Sequence, residues 1–181
     1  MNLVLADIAD DEKRRAEDIH DWLMGNYHLE RYLGDADVRQ GWPSWYSKLL
    51  SDLLLLTLDD NVEAAFSELD EQSWVLDVTV VSSRRIIRGT IPTRGTADDG
   101  QVRAISRRGV RDVQVDERGG GVITRSSRNP WPGAFTVIVD VVGMPSPLRL
   151  DPSLQASHFG RRPDMKALLT SFLADLDGRR R

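Results

Sequence analysis

The chain has 181 residues, 40% hydrophobic and 29% charged. That balance excludes a wholly disordered chain and fits one or two domains; the lack of cysteine excludes disulfides, thiolate metal sites, iron–sulfur clusters and cysteine nucleophiles. The net charge of −4 hides a split: residues 1–70 hold 16 acidic and 6 basic side chains, a net of −10, whereas residues 71–181 hold 12 and 18, a net of +6.

The N-terminal stretch Met1–Asp7 has no basic region, so no secretory signal is expected and the cytoplasm is the expected compartment. A first helix is predicted from Asp10 to Met24. Ile8, Ala16, Ile19, Trp22 and Leu23 fall near helical spacing, and Asp10, Asp11 and Glu12 suit the positive N-terminal end. Gly25-Asn26 stops it, and a short helical turn covers Tyr27–Leu33. A second long helix starts after Gly41-Trp42-Pro43, with Ser44 as its cap. Trp45, Tyr46, Leu49, Leu50, Leu53, Leu54 and Leu56 give it a wide apolar face. The apolar run Leu49–Leu58 is interrupted by Asp52 and falls short of the roughly 20 residues a spanning helix needs. Asp59 or Asp60 caps an expected third helix, with Val62, Ala65, Phe66 and Leu69 inward.

From residue 73 the apolar period changes to two, the signature of strands. Strands are predicted at Ser73–Val81, Arg85–Pro92, Gln101–Ser106, Val110–Glu117, Val122–Arg125, Ala134–Val142 and Leu148–Leu150. In the first, Trp74, Leu76, Val78 and Val80 share a face; in the fourth, Val113 and Val115 point inward. Nine glycines and five prolines between residues 89 and 147 punctuate these runs. A last helix follows Pro163 and buries Met165, Leu168, Leu169, Phe172 and Leu176.

Seven strands in hairpin order followed by one amphipathic helix resemble the pleckstrin-homology-like fold of bacterial proteins. Val80–Ile87 is similar to the first hairpin of such domains, and Arg103–Val113 to their middle strands. The resemblance covers residues 73–177 and implies two nearly orthogonal sheets with the helix plugging one end. The expected class is therefore α+β, with residues 1–70 an acidic helical segment and residues 71–181 a pleckstrin-homology-like β domain. The basic pattern of phosphoinositide-binding members is not reproduced. Arg85 and Arg88 are three apart and fall on opposite faces of a strand.

No complete catalytic set is present. Glu17 and His20 share a helix face, as in di-iron bundles, with His28 and Glu30 nearby, but only one such Glu-x-x-His motif exists. His158 reads as a loop residue. No Gly-x-Ser-x-Gly elbow occurs. Gly119-Gly120-Gly121 lacks a following Lys-Ser/Thr and reads as a hairpin turn. The protein is thus expected not to be an enzyme and to hold no cofactor or metal. Its expected role is a protein-interaction or scaffold module that self-associates, with basic strands facing acidic helices of the same chain or of a second copy. Trp42, Trp45, Tyr46 and Trp131 are the candidate partner contacts, since tryptophan and tyrosine are enriched at hot spots. A second reading places phosphate or polyanion binding, to nucleic acid or anionic lipid, on Arg84, Arg85, Arg107, Arg108 and Arg111. The acidic whole chain disfavours nucleic acid as the partner, and nothing in the sequence supports peripheral membrane contact. A metal-dependent enzyme built on Glu17, His20, His28 and Glu30 is the third reading.

Overall fold

The structure, a computed structural model, describes residues 9–35, 42–57, 60–94, 100–117, 135–155 and 160–178. Helix α1 runs over Asp10–Leu23, with Asp10, Asp11 and Glu12 in its first turn as expected. Its apolar stripe buries Ala16, Ile19, Trp22 and Leu23. Asn26 then joins three elements at once. Its Oδ1 accepts from the Leu29 N–H at 2.9 Å and so caps α2, Tyr27–Asp35. Its Nδ2 donates to the carbonyls of Ser67 and Leu154 at 2.7 and 3.0 Å. Helix α3, Ser44–Thr57, buries Trp45, Tyr46, Leu49, Leu50 and Leu53.

The third helix expected after Asp60 is instead strand β1, Val62–Asp70. It pairs antiparallel with β2, Val75–Ser82, from Ala64↔Val81 to Asp70↔Val75. Apolar residues at 62, 65, 66 and 69 imitate helical spacing because this strand is covered on both faces. Ala64, Ala65, Phe66 and Ser67 are consecutive and all buried. Such strands lose the alternation that marks a half-exposed one. Ser67 donates from its hydroxyl to the Leu23 carbonyl at 2.9 Å, which sets Ala65, Ser67 and Leu69 against the helices. Ala64 and Phe66 take the opposite face.

Strands β3, Arg85–Pro92, and β4, Gln101–Ser106, extend this sheet in the order β1-β2-β3-β4. Leu76, Val78 and Val80 are buried as predicted, but Trp74 lies outside the strand. It closes the β1–β2 turn with φ of +56°, a left-handed conformation that non-glycine residues adopt at a cost. A single 3-10 turn, Arg107–Gly109, then carries the chain to a second sheet, β5-β6-β7. Its strands are Val110–Glu117, Phe135–Val141 and Leu148–Leu150. Among the described residues the two sheets are hydrogen-bonded separately, so they form a sandwich with open corners, not a closed barrel. Phe135, Val137, Val139 and Val141 face the core as expected; Val115 does not and is half exposed. The expected strand Val122–Arg125 lies outside the described residues.

Helix α4, Met165–Gly178, covers β5 and β6. Asp164 caps it, accepting at Oδ1 from the N–H groups of Lys166 and Ala167. Met165, Leu168 and Phe172 are buried, and Leu169 and Leu176 pack against them. One cluster of buried apolar side chains runs from Ile19 in α1 through both sheets to Phe172.

Candidate functional site

The acid–histidine candidates on the N-terminal helices are dispersed. His20 is buried and its Nδ1 lies 2.7 Å from the Tyr46 hydroxyl. His28 is exposed and meets Glu71 at 2.9 Å. Glu17 is exposed on α1 and Glu30 is half-buried on α2. Among the described residues no three histidine or acidic side chains gather as a metal site would require. His158 lies outside the described residues.

Burial holds the His20 imidazole below its usual pKa of 6.5, opposed in part by the Asp21 carboxylate. Burial, with a smaller push from Asp21, drives the Tyr46 hydroxyl far above its usual value, so it stays neutral. The unfolded chain therefore takes up a proton at His20 before the folded chain does. Stability is expected to fall as pH drops through about 6.5 towards the folded-state value, and to owe nothing to His20 above that. Urea midpoints measured across this range should slope in the wild type and lose part of that slope in His20→Gln. An unchanged slope would remove His20 from the account.

The candidate partner contacts are drawn inward. Tyr46 is fully buried, Trp45 nearly so and Trp42 half-buried. They belong to a continuous row of rings. His20 stands edge-on to Trp42 at 5.1 Å and to Tyr46 at 5.9 Å, and Tyr32 bridges Trp45 and Trp74 at 6.1 and 5.5 Å. Arg94 closes the row over the Trp74 ring at 3.4 Å. The row joins α1, α2 and α3 to the β1–β2 turn. Trp131 lies outside the described residues.

The five candidate arginines do not form one patch. The Arg107 side chain is only 2% exposed. Its guanidinium donates to Asp175, Glu63, the Ser82 carbonyl and the Ser171 hydroxyl, all at 2.7–2.8 Å, and lies over the Phe172 ring at 4.7 Å. Arg84 and Arg85 approach the buried Asp60 carboxylate at 3.7 and 3.8 Å, and Arg85 also donates to the Leu56 carbonyl at 2.8 Å. Arg108 and Arg111 are exposed at and beyond the 3-10 turn. With Asp18 meeting Arg161 at 3.4 Å, acidic side chains of residues 1–70 pair with basic ones of residues 71–181 within one chain.

The register produces a pair the sequence did not single out. Arg88 on β3 stands directly opposite Arg103 on β4, which places their Cβ atoms about 4.5–5.5 Å apart. Among the described residues neither has a hydrogen-bonded or ionic side-chain partner. Both line a groove of about 830 Å3 with Lys48, Asp52, Leu55, Thr90, Gln101 and Pro145, and Lys48 meets Asp52 there at 2.7 Å. Leu55 is 67% exposed beside them. Strand β4 is the last of its sheet, so its outer edge has no strand neighbour among the described residues.

A second cleft, about 910 Å3, lies between α1, the entry to β1 and the approach to α4. Trp22 lines it, and its indole Nε1 is buried with no acceptor among the described residues.

The fold is similar to that of a DUF1696 family protein with a pleckstrin-homology domain from Shewanella loihica PV-4. The match has a TM-score of 0.41 at 11% identity and covers 72% of this chain and 92% of that one. It is also similar to a pleckstrin homology domain from Shewanella amazonensis SB2B, with a TM-score of 0.34 at 15% identity, covering 82% and 98%. No protein-family model and no curated protein matches the chain. The expected α+β class is observed, with antiparallel sheets of four and three strands and a C-terminal helix among the described residues; the first strand, Val62–Asp70, comes from the segment expected to be helical.

Proposed function

We propose that this protein is a non-catalytic binding module and that the groove at the β4 edge takes an acidic segment of a protein partner. The observation that carries the reading is the Arg88–Arg103 pair. Like charges directly opposite on neighbouring strands are destabilising, and among the described residues neither arginine has an ion-pair partner; Asp52, the acid of the same groove, is held by Lys48 at 2.7 Å. A carboxylate laid between them supplies it, and guanidinium forks suit carboxylates. Leu55 and Pro145 beside the arginines suit an apolar residue of the same segment. The outer edge of β4 offers backbone groups for an added strand.

The partner in this reading is a different protein, not a second copy. Opposite charge on the two halves was the argument for self-association, and those charges meet inside one chain at Asp18–Arg161, Asp60–Arg84 and Glu63–Arg107.

The test is fluorescence anisotropy with a labelled peptide alternating Glu and Val. Binding should weaken with salt. Removing both guanidiniums in Arg88→Ala/Arg103→Ala should weaken it at least about tenfold, or ~1.4 kcal/mol. Equal binding by wild type and double variant overturns the reading. So does binding to phosphatidylserine vesicles in place of the peptide.

A further inference from the structure

The cleft lined by Trp22 has walls from three distant stretches of chain: α1, residues 60–63, and residues 161–171. Those walls are fixed to one another. The Arg161 N–H donates to the Asp21 carbonyl at 2.9 Å, its guanidinium meets Asp18 at 3.4 Å, and Arg107 ties Glu63 to α4. A volume of about 910 Å3 lies in the range of small-molecule sites.

Charge alone does not decide what such a cleft would hold, because acids and bases both line it. Their partners decide it. Asp18 is taken by Arg161, Asp60 by Ser82, Arg84 and Arg85, Glu63 by Arg107, and Asp164 by the first N–H groups of α4. Every carboxylate of the lining is engaged. The donors are in surplus. Among the described residues Arg162 has no partner, and Arg15 has Asp11 at 3.2 Å. Trp22, only 6% exposed, keeps an indole N–H with no acceptor. Buried indole N–H groups normally find one.

We infer that this cleft binds a small molecule through an oxyanion, carboxylate or phosphate, that accepts from Trp22 Nε1 and is neutralised by Arg162 and Arg15. Arg161, with a side chain 56% exposed, lies over the Trp22 ring at 5.2 Å and, kept on Asp18, forms the outer wall. Leu168, Ala167 and Val62 supply an apolar wall for the rest of the ligand.

The experiment follows the indole N–H resonance of Trp22 in the 15N-labelled full chain, assigned by its absence in Trp22→Phe. Inorganic phosphate, phenyl phosphate and benzoate are titrated in turn. The expected result is a saturable shift of that resonance by phenyl phosphate, by benzoate, or by both, and the pattern separates a phosphate ester from a carboxylic acid. Arg162→Ala, a change at an exposed side chain, should raise the half-saturating concentration about tenfold. Arg88→Ala/Arg103→Ala should leave it unchanged, which keeps this site distinct from the β4 groove. No shift with any of the three probes overturns the inference. A shift that Arg162→Ala does not weaken overturns it too.

Discussion

Arg107→Ala is expected to cost about 3 kcal/mol of stability, read as a fall in the urea midpoint at unchanged slope. The guanidinium is the meeting point of four elements: Glu63 at the start of β1, the Ser82 carbonyl at the end of β2, and Ser171 and Asp175 on α4, with Arg107 itself on the 3-10 turn. Breaking a buried ion pair by removing one partner typically costs about 3–5 kcal/mol, because the other charge stays behind. Glu63 and Asp175 remain 23% and 25% exposed, so water recovers part of their solvation and the lower figure applies. Arg107→Lys should regain only part of the loss. One ammonium cannot reach two carboxylates, a hydroxyl and a carbonyl in fork geometry. A midpoint unchanged in Arg107→Ala would mean that this network contributes no net stability.

Arg107 also shows where sequence reading stops. It sits among Arg103, Arg108 and Arg111, and proximity in sequence groups all four as one basic surface. The 3-10 turn at the corner between the sheets sends the side chain of its first residue inward and leaves Arg108 outward. Nothing in the local residue pattern separates them. The groove pair was hidden for a related reason. Arg88 and Arg103 become neighbours only through the β3–β4 register, and a hairpin's register follows from its loop geometry.

Elsewhere the sequence was sufficient. Arg85–Pro92, Gln101–Ser106, Val110–Glu117 and Leu148–Leu150 coincide with observed strands, because Gly, Pro and polar turns bound each run. Val62–Asp70 failed for a physical reason. With helices on one side and the sandwich interior on the other, its burial no longer alternates, and period is the only cue a short apolar run offers. The aromatic segment Trp42–Tyr46 reads from composition as core first, with a partner interface as the rival. Packing against His20 and Tyr32 puts it in the core.

Gly160→Ala is the second large effect expected. A Cβ at Gly160 would run into the backbone of Gly25 and Met24. The obstacle is main chain, so no rotamer change relieves it, and the approach to α4 must move away from the α1–α2 turn. Two interactions go with it: the Arg161 N–H bond to the Asp21 carbonyl and the stacking of Arg161 on Trp22. Overpacking of this kind costs about 1–3 kcal/mol, measurable as a lowered urea midpoint. Gly25→Ala meets the same crossing from the other side, where the Arg161 carbonyl stands 3.0 Å from the new Cβ. Gly34 supplies the internal control. It lies in helix α2 with nothing within 4 Å of a new Cβ, so Gly34→Ala should raise stability by about 0.5–1 kcal/mol through helix propensity alone. Opposite signs at the two positions would locate the cost in the backbone crossing. A Gly160→Ala midpoint equal to wild type would show that residues 160–164 are not held against α1. The cleft over Trp22 would then lack its third wall.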